Sequence, residues 1–254
     1  FKKTMDGATV YRDYWWIYGP AMPYYYSLFY RAMGVSVRSV LAGQCVLLLL
    51  CGVLVFLTAA LFVSPGCACL ASVVFWVYYP DFPHTYVYTG AVACMLLALY
   101  FLVRYIRRPG LPSLLLCAAA AAVAGMVKLN IGAALFCASL AAAFVADLLR
   151  EGLCGLGGRL RRYAASASLF GGALGFGYLP FTRGLPGVVR SQSFPFSNPQ
   201  RSSLPPLLPR LRGIAEIAAE QFSLDWRYPL LLAVCLACLA RGRSEERRVG
   251  KECS

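Results

Sequence analysis

The apolar positions of this chain come in long, nearly unbroken runs, at residues 37–63, 67–79, 86–103, 111–127, 131–148 and 163–181, with 229–240 beginning another. Several of these runs approach or exceed the ~20 residues that cross a bilayer as a helix. Alternation with a period of two is absent, which argues against a transmembrane barrel. Between the runs stand turn and boundary residues: Ser64-Pro65-Gly66, Pro80-Asp81-Phe82-Pro83-His84, Arg104 to Gly110, Lys128-Leu129-Asn130, a polar glycine-rich stretch at 149–162 and a long Pro/Ser/Arg stretch at 182–228. The run 67–79 is short for a bilayer, so it is expected to tilt into a bundle or to thin the membrane locally. Residues 1–18 are polar and aromatic. Residues 19–33 are aromatic with one charge, which predicts a short helix lying in the interface, started by Pro20 or Pro23 and broken at Gly34. The expectation is an all-α polytopic transmembrane helix bundle. Its parts are an extracytoplasmic loop with an interfacial helix (1–36), about six membrane helices (37–181), a long extracytoplasmic loop (182–228) and the start of a further helix (229–242).

Composition strengthens this picture. The chain is 59% hydrophobic, with a mean hydropathy of +0.63. Only 14% of its residues are charged, where a soluble domain carries about 25%. Most of the eleven cysteines lie inside apolar runs, among them Cys45, Cys51, Cys94, Cys117, Cys137 and Cys235, and read as small packing residues rather than as a disulfide framework. Cys67-x-Cys69 and Cys235-x-x-Cys238 have no His or acid beside them, so their spacing does not argue for a metal.

The two ends predict a fragment. The chain starts at Phe1 without an initiator Met, and residues 243–254, beginning Arg243-Ser244-Glu245-Glu246, look like a translated sequencing adapter. Without 243–254, which hold four basic and three acidic residues, the net charge of +13 becomes +12. Two arginine clusters, Arg104/Arg107/Arg108 and Arg150/Arg159/Arg161/Arg162, succeed the third and fifth runs. The positive-inside rule assigns that side to the cytoplasm. Regions 1–36, 80–85, 128–130 and 182–228 then share the outer face, and the isolated polar residues gather there. Arginines spread over both sides of a membrane do not make a nucleic-acid surface. No phosphate loop, dinucleotide fingerprint or zinc motif occurs; Gly152 to Gly158 lacks the Lys-Ser/Thr of a phosphate loop.

Chemistry-bearing residues emerge from that arrangement. Arg12 and Asp13 stand among aromatics at the membrane–water boundary, where a carboxylate stays ionised without full desolvation. Asp13 can orient or deprotonate an acceptor hydroxyl, or tie down the loop through Arg12. Lys128 at a span terminus can meet a phosphate or simply snorkel, with Asn130 as its polar neighbour or a helix cap. Asp81 and His84 read as substrate contacts at the outer face or as a polar turn between prolines. Of the outer-loop arginines Arg183, Arg190, Arg201, Arg210 and Arg212, the pair Arg190 and Arg201 flanks Ser193-Phe194-Pro195-Phe196-Ser197 and suits a phosphate grip.

Gly7, Tyr11-Arg12-Asp13-Tyr14, Gly19-Pro20, Met33-Gly34 and Lys128-Leu129-Asn130-Ile131-Gly132 stand in a familiar order. In them the chain resembles GT-C glycosyltransferases, in the family 39-like branch of protein O-mannosyltransferases and lipid A aminoarabinose transferases. The resemblance covers most of 5–240. It implies a GT-C-like fold and transfer, with inversion, of a hexose or related sugar. The donor would be a polyprenyl phosphate and the acceptor a lipid, glycan or protein, at the outer face of a bacterial inner membrane. It implies Asp13 as a catalytic acid, Arg12 and Lys128 as donor-phosphate ligands, and Tyr11 and Asn130 as substrate contacts; Arg190 and Arg201 as further phosphate ligands and Asp81 and His84 as substrate contacts stand on the reading of the residues above. The expected partners are the polyprenyl-phosphate donor and membrane lipid; no cofactor is demanded, and a divalent metal stays open. One departure matters. Such enzymes carry their principal acid well upstream of the Tyr-Arg-Asp position, and Asp6 is too close to match it. Asp13 is then the second, donor- or metal-contacting acid, and the fragment alone is expected to be inactive. The rival expectation is a transporter or flippase, which should show charged residues in mid-helix and internal repeats.

Overall fold

The structure is a computed structural model that describes residues 1–14, 16, 18–79, 86–151 and 156–184. Its α-helices among these residues are α1 (Lys2–Met5), α2 (Ala21–Met33), α3 (Val37–Ala59), α4 (Pro65–Tyr78), α5 (Tyr86–Arg107), α6 (Leu111–Val127), α7 (Leu129–Glu151) and α8 (Leu156–Tyr178), with a 3₁₀ segment at Leu179–Gly184. The described chain is thus all-helical, apart from an isolated bridge between Val10 and Tyr14.

Among the described residues, three helices are long and apolar enough to cross a membrane: α3, Tyr88–Arg107 of α5 and Leu129–Arg150 of α7. At 1.5 Å per residue, the 23 residues of α3 reach about 34 Å, enough for a ~30 Å hydrocarbon core. The 14 residues of α4 and the 17 of α6 reach only about 21 and 26 Å. α8 is long enough but carries Arg159, Arg161 and Arg162 in its first turns and several glycines along its length. By length and composition, these three apolar helices are compatible with an integral membrane protein.

Alanine sets the packing. α6 contains an unbroken run from Ala118 to Ala122, and Ala118, Ala120, Ala121, Ala122 and Ala124 are all buried. Small side chains let backbones approach closely in a membrane bundle, and α5, α7 and α8 all pack on α6. Between α7 and α6 the backbones come close at Gly132, where a Cβ would stand 2.3 Å from the Gly125 backbone. This gives the glycine of the Lys128–Gly132 element a packing role. α3 packs on α4 and α5. There Trp76 donates its indole N–H to the Leu48 carbonyl at 2.9 Å, and Ser72 its hydroxyl to the Gly52 carbonyl at 2.7 Å. The seven described cysteines are free thiols.

α2 starts directly after Pro20, and Gly34 ends it at φ +80°, a left-handed conformation that favours glycine. Met22, Pro23, Tyr26 and Ser27 face inward, while Tyr24, Leu28 and Met33 are exposed. Two phenols fasten α2 across α3: Tyr25 donates to the Gly43 carbonyl at 2.8 Å and Tyr26 to Gln44 Oε1 at 2.9 Å. Gln44 in turn donates to Thr89 Oγ1 of α5 at 2.6 Å. The boundaries differ from expectation in two places. The expected loop 149–162 is mostly helix, since α7 runs to Glu151 and α8 begins at Leu156. The expected boundary 128–130 shrinks to Lys128 alone.

Candidate functional site

The described residues of 1–20 form an arm that folds over one end of the bundle. Gly19 donates its N–H to the Val127 carbonyl at 2.8 Å, docking the arm on the last turn of α6. Phe1 stacks on Tyr26 with ring centroids 4.7 Å apart. Thr4 Oγ1 and the Tyr14 hydroxyl share a hydrogen bond of 2.5 Å. Val10 is completely buried.

Within the arm a tight turn at 9–14 presents the charges. The Thr9 N–H donates to Asp13 Oδ2 at 2.7 Å, and the Asp13 N–H donates to the Thr9 carbonyl at 2.9 Å. Arg12 grips the same carboxylate as a fork, Nε to Oδ1 at 2.9 Å and Nη2 to Oδ2 at 2.8 Å. Tyr11 adopts φ +67°, which is uncommon without a glycine and marks a locally constrained backbone. Its hydroxyl donates to the Tyr18 carbonyl, and its ring meets Phe181 edge-on at 6.3 Å. Tyr24 of α2 lies 5.8 Å from the same Phe181 ring.

The Arg12 fork and the Thr9 amide hold the Asp13 carboxyl down at about 2, from an ordinary value of 3.8. The pair is partly exposed, with 63% of the Arg12 side chain and 36% of the Asp13 side chain open. Water screens such a pair, so it orders the turn more than it stabilises the fold. A carboxylate of such low basicity is mismatched to proton abstraction near neutrality. It is well suited to accept a hydrogen bond or to face a cation. Because the folded value lies below the unfolded one, this contribution is complete above about pH 4 and is lost as pH falls through about 2. Carbon-13 NMR of a labelled Asp13 should therefore give a midpoint near 2; a midpoint at the ordinary carboxylate value would show that the fork does not persist in solution.

Lys128 occupies the one-residue junction of α6 and α7. Its ammonium donates to the Tyr88 hydroxyl at 3.1 Å. It also sits 4.8 Å from the Tyr88 ring centre and 5.7 Å from that of Tyr18. The two rings meet at 6.0 Å. This clamp orients the ammonium through cation–π attraction of about 0.5–1 kcal/mol at such a site. Asn130 is exposed on the first turn of α7. A largely apolar groove of about 170 Å³ runs beneath α2, lined by Met22, Tyr25, Leu47, Cys94, Val123 and Val127. Val127, which lines the groove, is the chain neighbour of Lys128.

The structure thus brings Tyr11, Arg12, Asp13 and Lys128 onto one end of the bundle through Tyr18, with Asn130 close in sequence. Asp81, His84, Arg190 and Arg201 lie outside the described residues. Among the described residues no group of three or more His, Cys, Asp or Glu gathers at one point. The aromatic partners Tyr18, Tyr88 and Phe181 do not stand out in the sequence, although the density of Tyr and Trp at membrane boundaries is a general signal for them.

The opposite end holds a second polar cluster, and it corrects an expectation. The side assigned to the cytoplasm was expected to hold the arginine clusters, with the isolated polar residues gathered at the outer face. Instead Asp147 is 2% exposed and accepts hydrogen bonds on Oδ2 from Tyr105 at 2.5 Å and Tyr163 at 2.6 Å. Arg159, 1% exposed, donates to the Asp147 carbonyl at 3.2 Å. Burial against this cluster is why α8 begins ahead of its arginines rather than after them.

Comparison with family models, with curated proteins and with solved structures returns no match.

Proposed function

We propose that this chain is part of a GT-C, family 39-like membrane glycosyltransferase. It moves a sugar from a polyprenyl phosphate to a lipid, glycan or protein acceptor at the extracytoplasmic face. The observation that carries the reading is the clamped Lys128 ammonium, whose chain neighbour Val127 lines an apolar groove, on the same end as the Arg12–Asp13 turn. A polyprenyl-phosphate donor needs both parts, an apolar bed for its chain and a cation for its phosphate. Attack of an acceptor hydroxyl on the anomeric carbon breaks the bond to the phosphate oxygen, and negative charge grows on the leaving phosphate. Lys128, with Arg12 at the same end of the bundle and Arg190 and Arg201 from the long loop, stabilises that charge. Asp13 orients the donor or acceptor, while the proton goes to a more basic group. Tyr11, Asn130, Asp81 and His84 complete the substrate surface.

The transporter reading loses support from the position of Asp147. It lies three residues before Arg150, near the end of α7 rather than at its middle, where ion or solute sites of transporters gather.

The test is sugar transfer from a radiolabelled polyprenyl-phosphate sugar, in membranes carrying the full-length parent protein. Lys128→Met should lower the rate by about 10²–10³, the usual loss when one preorganised charge-stabilising donor is removed, and Lys128→Arg should recover part of it. A Lys128→Met protein as active as the parent would sink the proposal.

A further inference from the structure

The three helix ends joined by the Asp147 cluster carry an uncommon charge pattern. The hydroxyls of Tyr105 in α5 and Tyr163 in α8 converge on one carboxylate oxygen in α7. Each anchor is flanked by arginines: Arg104, Arg107 and Arg108 around Tyr105, Arg150 beyond Asp147, Arg161 and Arg162 before Tyr163. The hydrogen bonds therefore gather six arginines on one rim. Five of them are exposed and Arg162 is half-buried. The carboxylate at the centre is buried and already occupied. The described ion pairs are Lys2 with Asp6 and Arg12 with Asp13, both at the other end.

Two further observations specify what this rim meets. Arg104 folds back over the Tyr100 ring at 5.8 Å, one turn toward the apolar body of α5, and Arg107 lies over Phe62 at 5.7 Å. These guanidiniums are thus held at the level where the apolar helix ends, rather than extended into water. Between the arginines stand bare apolar side chains: Leu149 is 82% exposed, with Phe62 and Leu160 each 55% exposed. Free phosphate or a nucleic acid would leave these leucines in water. A phospholipid covers them with its glycerol and acyl region while its phosphodiester meets the arginines.

We infer that this rim is a binding site for the headgroup of an anionic phospholipid in the leaflet at that end. The inference rests on the bundle crossing a membrane and not on the transferase reading, so the two fail separately. The full-length protein is placed in nanodiscs of phosphatidylcholine, with and without phosphatidylglycerol. Retained lipid is read by native mass spectrometry, and the unfolding midpoint by a thermal scan. Phosphatidylglycerol should be retained selectively and should raise the midpoint, and salt should erase both effects. Arg104→Gln/Arg150→Gln/Arg161→Gln should lower retention by about fivefold per arginine at low salt, from the attraction typical of one basic residue at an anionic surface. Arg31→Gln/Arg38→Gln at the other end should leave it unchanged. Should the triple variant not fold, salt titration of the unaltered protein and competition by inorganic phosphate still decide the matter. Equal midpoints in the two lipids would overturn the inference, as would reproduction of the whole shift by inorganic phosphate, or equal loss from the Arg31/Arg38 pair.

Discussion

A Gly19→Ala protein should keep its membrane helices and lose the ordered arm. A Cβ at residue 19 would stand 1.9 Å from the Met126 carbonyl oxygen and 2.5 Å from its carbon. Both atoms belong to the helical backbone of α6 and cannot move aside as the end of a flexible side chain can. The arm must lift instead, breaking the Gly19–Val127 hydrogen bond. Tyr18 then leaves Lys128 and Tyr88, and Tyr11 leaves Phe181. Overpacking of this kind costs about 1–3 kcal/mol, so hydrogen exchange of the Tyr11, Asp13 and Gly19 amides should accelerate by about five- to 150-fold. The same change at Gly171 of α8, where a Cβ meets nothing within 4 Å, should be neutral or mildly stabilising, since alanine is the better helix former. Unchanged exchange in Gly19→Ala would mean that the arm does not rest on α6. If the transferase reading is right, Gly19→Ala also lowers transfer without touching a charged residue.

The helices were largely legible in the sequence, because apolar runs and their breaks state where a membrane helix can lie. The run 111–127 coincides with α6, and 37–63 contains α3 together with the turn after it. The boundary error at α8 has a physical cause. Arginine marks solvent in a sequence pattern, which holds for Arg161 but not for Arg159, since the latter is buried beside Asp147. No periodicity signals that contact, because its partners come from α5, α7 and α8. The candidate site was legible in part for a related reason. Arg12 and Asp13 are neighbours in the chain, so their pairing is local. The clamp on Lys128 joins Tyr18, Tyr88 and Lys128 across 110 positions of sequence, and only the fold brings them together. The low basicity of Asp13 depends on the Thr9 amide as well as on Arg12, which residue types alone do not state.

The second large effect is expected at Asp147. Asp147→Leu removes the acceptor shared by two phenols, one of them, Tyr105, completely buried. An orphaned buried hydroxyl costs about 1–3 kcal/mol in a soluble protein, while side-chain hydrogen bonds in a membrane bundle average about 0.6 kcal/mol. The membrane value is the lower because the unfolded chain there also finds partners. This cluster lies near helix ends, where water competes in the unfolded state, so a loss of about 2 kcal/mol is expected for the two bonds together, read as a lower unfolding midpoint in detergent. Asp147→Asn keeps an acceptor oxygen of the same reach and separates geometry from charge. If its stability stays near that of the parent, the carboxylate serves as an acceptor that pins α5 and α8 to α7. If it falls as far as Asp147→Leu, the negative charge is what matters, balancing Arg159 and the arginines that crowd the rim. The first outcome is expected, because both phenols converge on one oxygen, Oδ2, which an asparagine carbonyl can replace. A leucine variant as stable as the parent would show that the phenols find other acceptors and that the three helix ends are held by packing alone.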